Sequence, residues 1–161
     1  MVTVSRVLVA AVPVVPRRYP FLLGALTAVF VLRVAGQPFT AIADIDFLPP
    51  FERWYSGAIS YSLLLPIQLF LIVLMMAIVR DFARGRGYFI MLSVRSGRII
   101  RRLSYIYALV MAARYTVTMV LHPELRWFTG TPPIWFHFVL AIFLFILGYF
   151  QEHHADGLNG K

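Results

Sequence analysis

The chain has no cysteine, which excludes disulfides, thiolate metal sites, iron–sulfur clusters and thiol redox chemistry, and with them quinone-linked disulfide exchange. Charge is scarce as well. Only 14% of the 161 residues are Asp, Glu, Lys or Arg, and acidic residues number seven against fifteen basic ones. HExxH, Gly-x-Ser-x-Gly, P-loop and dinucleotide fingerprints are all missing, so zinc proteolysis, elbow-type acyl transfer and nucleotide chemistry lack their usual marks. None of the long apolar runs holds an acidic residue to serve as a buried base or proton relay. There is no clear inverted repeat, which disfavours a secondary transporter.

What the chain has is apolar surface. Hydrophobic residues make up 60% of it and the mean hydropathy is +0.78, a balance that leaves a water-soluble fold short of polar covering. The solvent is therefore lipid. Four apolar runs, at about 21–37, 55–79, 103–121 and 133–150, are each close to the ~20 residues that cross a hydrocarbon core of ~30 Å. Arg17 and Arg18 precede the first, and Arg101 and Arg102 open the third. Pro66 is expected to kink the second, and Pro132 and Pro133 suit the start of the fourth, where a missing amide hydrogen costs least. One domain, 1–161, uses nearly the whole chain. Residues 1–16, apolar but broken by Pro13 and Pro16, read as an interfacial or flexible arm rather than a removable signal, and 151–161 as a flexible tail.

Orientation follows from the arginines. Arg6, Arg17 and Arg18 lie before the first run, and Arg80, Arg84, Arg86, Arg95, Arg98, Arg101 and Arg102 lie between the second and third against Asp81 alone. The other connections are less basic, with Asp44, Asp46, Glu52 and Arg53 in one, and Glu124 and Arg126 in the other. The cytoplasmic bias of basic residues then puts both termini inside. Trp54, Tyr55, Trp127 and Trp135 fall where an outer aromatic belt is expected, and Tyr19, Tyr88 and Tyr149 near the inner boundary.

Polar residues inside the runs are few, and such groups are costly in lipid unless they find partners. Arg33, Gln68 and Arg114 each stand twelve positions from an inner edge at Phe21, Arg80 or Arg102, about 18 Å at the helical rise. His137 is fifteen positions before Glu152, about 22 Å. Each helix thus contributes one strongly polar side chain at similar depth, on the outer side of the midplane. Ser104, Tyr107, Met111, Arg114 and Thr118 recur at helical spacing on one face of the third run, and His137, Ala141, Leu144, Gly148 and Glu152 on the fourth, where small residues allow close approach.

Two readings of the layer stand side by side. In one it is structural: Gln68 and His137 bond across helices and the arginines reach water or a loop carboxylate, with Asp44 and Asp46 as candidate counter-charges. In the other, two cations without an intramembrane carboxylate form an outward-facing pocket for an anionic or carbonyl-bearing ligand such as a lipid head group or a quinone.

Other constellations carry less. His122, Glu124 and His137 would have to gather without any recognisable motif to hold a metal. His153 and His154 suit a solvated helix end, and only His137 lies at a depth where haem ligation is conceivable. The Arg84–Gly87 tract resembles an RGRG nucleic-acid segment, but the membrane bias already accounts for its arginines. Arg84, Arg86, Arg95, Arg98, Arg101 and Arg102 are expected to meet anionic lipid head groups, with the apolar stretch Tyr88–Leu92 between them lying in the interface.

The expected fold is all-α, an integral membrane bundle of four transmembrane helices with both termini cytoplasmic, in the plasma (inner) membrane of a bacterium. The expected role is that of a non-catalytic accessory or scaffold subunit of a larger membrane complex, in contact with other membrane subunits or with itself. The alternative is a stand-alone membrane enzyme or receptor that holds an anionic lipid or quinone-like ligand at the polar layer. No cofactor or metal is implied by the residues.

Overall fold

The computed structural model describes residues 15–42, 61–121 and 132–154. They form four helices and, among the described residues, no strand: α1 (Arg18–Ile42), α2 (Tyr61–Arg84), α3 (Val94–Leu121) and α4 (Pro132–His154). All four are long and apolar enough to cross a membrane, which makes this an integral, multi-pass membrane protein. A helix is suited to that solvent because it satisfies its own backbone, which lipid cannot do. Its hydroxyls follow the same rule. Thr27 donates to the Leu23 carbonyl at 2.8 Å, Ser104 to Arg101 at 2.7 Å, and Thr118 to Arg114 at 2.9 Å.

The helices outrun the apolar stretches, chiefly at the arginine-rich end. α2 continues to Arg84, α3 begins at Val94, and α4 carries on through His154. Arg95, Arg98, Arg101 and Arg102 therefore sit on helix rather than in a connection, and residues 151–154 belong to α4 rather than to a tail. Once outside the hydrocarbon a helix can bear ionised residues without penalty, so a fall in hydropathy marks the edge of the lipid and not the end of the helix. α2 passes uninterrupted through Pro66, and α1 through Pro38 near its end.

Packing runs in the order α2, α1, α4, α3. α3 lies closely along α4, α1 touches both α2 and α4, and α2 and α3 make no close backbone approach. The central pair, α1 and α4, accordingly supplies most of the buried residues. Leu23, Phe30 and Val34 of α1 and Phe143, Leu147 and Phe150 of α4 meet Met75, Ile78 and Phe82 of α2. α3 buries only Gly97 and Ser104. Its contact with α4 depends on absent side chains: a Cβ on Gly148 would come within 2.6 Å of the Arg101 nitrogen, and one on Gly97 within 2.6 Å of the Gln151 Cβ. Gly148 belongs to the small-residue stripe read from the sequence, whereas Gly97 lies in the basic segment.

The end of the bundle that carries the arginines is closed by residues 85–93. α2 stops in a paired turn in which Gly85, at φ 63°, donates to Phe82 and Arg86 donates to Asp81, an arrangement that only a left-handed residue permits cheaply. The buried Asp81 carboxylate takes Arg80 at 3.3 Å and the Phe89 amide at 3.4 Å. The fully buried Gln151 donates to the Phe89 carbonyl. Both backbone groups of Phe89 are thereby satisfied by side chains from α2 and α4, and Ile90, 1% exposed, enters the core. Tyr88 and Met91 point outward. The apolar stretch 88–92 is thus split, with one residue plugging the bundle and two left at its surface. Ser93 then caps α3, its Oγ accepting from the Ser96 amide at 3.2 Å.

Candidate functional site

At the level chosen by helical rise, three of the four polar residues come together. His137 Nδ1 lies 2.5 Å from the Tyr107 hydroxyl, which joins α4 to α3, and the two rings meet edge to face at 5.8 Å. Arg33 of α1 is 8% exposed, with its guanidinium carbon 5.1 Å from the centre of the Phe136 ring, a cation–π contact one residue from His137. Arg114, two turns along α3 from Tyr107, is exposed. The positive charges of Arg33 and Arg114 both act on His137, and that of Arg114 on Tyr107 as well. The cluster therefore draws on α1, α3 and α4.

Gln68, the fourth residue, is buried on α2, and its Oε1 has no hydrogen-bond partner among the described residues. Since α2 packs on α1 and not on α3, equal depth does not bring Gln68 to the Tyr107–His137 pair. Tyr107 was legible as a member of the Arg114 face, seven residues away, but not as the group that would take His137. That pairing needed the knowledge that α3 and α4 are neighbours.

The described helices carry only two acidic residues, Asp81 and Glu152, and both lie at the opposite end. Asp81 is engaged as above, and Glu152 meets Arg101 with Nε at 3.1 Å. No described carboxylate reaches the Tyr107–His137 level, so the charged groups that the described residues place there are guanidiniums. Asp44 and Asp46, the candidate counter-charges, lie outside the described residues, as do His122, Glu124, Trp54, Tyr55 and Trp127. Chemically, the cluster can bind an anion, or a carbonyl oxygen through the tyrosine hydroxyl or imidazole. Among the described residues it has no carboxylate base.

The remaining residues divide by exposure. Arg84, Arg86, Arg95, Arg98 and Arg102 are exposed and free to meet head groups, but Arg101 is held by Glu152. His153 stacks on Tyr149 at 4.1 Å, and the half-buried His154 stacks on Phe150 at 4.7 Å. Both rings place Nδ1 near the carbonyls one turn back, Tyr149 at 2.9 Å and Phe150 at 3.2 Å, which lays them along α4. They are helix-end residues rather than a ligand pair. No protein-family model, curated protein or solved structure matches the chain.

Proposed function

We propose that this protein is a non-catalytic accessory or scaffold subunit of a larger membrane complex, that both its termini are cytoplasmic, and that the plasma membrane of a bacterium is its location. The observation that carries the reading is Arg114: an exposed cation on α3, at one end of the row, at membrane depth, close enough to act on His137 and met by no described carboxylate. A charge placed so is costly unless something answers it. A carboxylate on a neighbouring subunit's helix, docking along α3, would do so and would set its register. The large apolar side chains exposed on α3, Leu109 and Val117 among them, suit such a helix or lipid equally, so specificity falls to the arginine.

A second reading uses the same cluster. With Tyr107 and His137 as hydrogen-bonding groups between two guanidiniums, the protein would stand alone and hold an anionic or quinone-like molecule. Native mass spectrometry after gentle detergent extraction separates the two. A heavier assembly with other chains supports the first, whereas a bare protomer or homo-oligomer that keeps a small molecule supports the second. Arg114→Ala is expected to abolish whichever association is seen without unfolding the protein, because the side chain is exposed. If assembly and ligand content both survive the substitution, neither reading stands. For orientation, single cysteines are introduced into this cysteine-free chain at Met91 and Leu125. An impermeant maleimide added from outside is expected to label the cysteine at Leu125 and not the one at Met91; the opposite pattern would reverse the threading, and labelling of both from one side would mean that α3 does not cross.

A further inference from the structure

The contact between α3 and α4 has two sides. Tyr107, His137 and Arg114 occupy one. On the other is a groove of about 180 Å³ lined by Ser104, Tyr105, Ala108, Phe138, Ile142 and Phe145, with almost no polar surface. Its floor exists because Ser104 and Ala108 are small, and because the close backbone approach around Gly97 and Gly148 lets the larger side chains flare outward. The Ser104 hydroxyl is already spent on the Arg101 carbonyl at 2.7 Å, so the floor of the groove asks for no hydrogen bond. The volume falls below the ~300–1,000 Å³ typical of compact ligand pockets. Something narrow and flexible fits it better than a ring system.

Toward the arginine-rich end the same face changes character. Tyr105 is seven residues beyond Arg98 and three beyond Arg102, so these residues share a side of α3, and the two arginines lie within about 11 Å of the groove along the axis. Both are exposed, and Glu152, the nearest acid on α4, is taken by Arg101. From Tyr105 a ladder of rings leads the same way along α4: Tyr105 to Phe145 at 5.6 Å, Phe145 to Tyr149 at 6.0 Å, and Tyr149 to His153 at 4.1 Å. An apolar slot ending in aromatic rings and then in exposed cations that no described carboxylate meets, in that order along the membrane normal, matches the parts of a single amphiphile.

We propose that the α3/α4 groove is a seat for one acidic phospholipid, with an acyl chain along Tyr105, Ala108, Ile142 and Phe145 and the phosphate against Arg98 and Arg102. The proposal does not depend on the role of the Arg114 cluster, which faces away from the groove. The full chain, purified in mild detergent and equilibrated with equal amounts of phosphatidylglycerol and phosphatidylcholine, is expected to retain one phosphatidylglycerol per protomer in native mass spectra. Replacing both arginines (Arg98→Gln with Arg102→Gln) should reduce the preference for phosphatidylglycerol over phosphatidylcholine by roughly twenty-five-fold, since each basic residue near a head group contributes about a factor of five. Ala108→Phe should displace both lipids by filling the slot. Ile142→Trp fills it from the exposed rim and keeps the test open if Ala108→Phe does not fold. Equal retention of the two lipids, an unchanged preference in the arginine double variant, or undiminished phosphatidylglycerol in a folded groove-filling variant would each overturn the seat. So would a groove-filling variant that loses a dimer while keeping its lipid, because the occupant would then be a second copy of the chain.

Discussion

The two ends of the bundle treat polar residues in opposite ways. At the arginine-rich end Asp81 holds Arg80 and the Phe89 amide, the Gln151 amide nitrogen holds the Phe89 carbonyl, and Glu152 holds Arg101, so each of these side chains has a partner within the chain. Toward the other end, Tyr107, His137 and Arg114 assemble near Arg33, and the described residues place no carboxylate against Arg114. Polar groups that complete one another within a chain read as architecture, since removing one leaves another stranded. Polar groups of one sign read as a place where something else belongs.

The contrast can be broken most forcefully at the close contact of α3 and α4. Gly148→Ala places a methyl within 2.6–3.0 Å of the Arg101 backbone and the Gly97 carbonyl oxygen, and neither can turn aside. The helices must part, at an expected cost of about 3 kcal/mol, visible as a large drop in the thermal midpoint in detergent together with loss of both the groove and the Tyr107–His137 bond. A next, smaller effect is expected from Asp81→Asn. The neutral amide still accepts one bond, but the pairing with Arg80 and half of the Phe89 clamp weaken, for a loss of about 1–3 kcal/mol and faster hydrogen exchange at Phe89. Gly87 tests the same clamp from the other side. Its φ of 136° and the Asp81 carboxylate lying where a Cβ would go mean that Gly87→Ala should destabilise Asp81→Asn less than it destabilises the unmodified chain.

Smaller again is Tyr107→Phe. It removes one hydroxyl at the cationic level, and the expected loss of stability is about 0.5–1.5 kcal/mol, measured by the same melts. Smallest in stability is Arg114→Ala, expected to lie within ~0.5 kcal/mol because the side chain is exposed, although its effect on association is the largest of the set. If Arg114→Ala instead destabilised the fold as much as Asp81→Asn does, the distinction between the two ends would collapse.

Much of this was legible from the residues. The apolar runs located all four helices because lipid imposes a length and a composition, and counting the helical rise put Arg33, Arg114 and His137 at one level because the rise is fixed. Neighbourhood was not legible. Nothing in the runs says that α1 and α4 form the centre while α2 and α3 flank them, and so Gln68 could be assigned a depth but not company. Gln37 and Gln151, both fully buried, stood at the edges of apolar runs, where a polar residue reads as the boundary of the membrane rather than as part of the core. Asp81 read as a minor offset to seven arginines. Its actual partner, a backbone amide eight residues on, depends on how the chain turns at Gly85 and Gly87, and hydropathy carries no trace of that.

The order of packing has one more consequence, for how the molecule is made. α1 with α2 and α3 with α4 are consecutive hairpins, and the docking of α1 on α4 is the long-distance contact that unites them. The first hairpin can therefore be completed in the bilayer before the second has left the ribosome, and α4, made after the other three, performs the joining. A chain that ends before Pro132 would keep its first hairpin, while Leu23 and Phe30 of α1 would lose the α4 side of their surroundings and α3 would lose the neighbour along which it lies. Such a fragment is the form that membrane quality control would be expected to recognise and degrade.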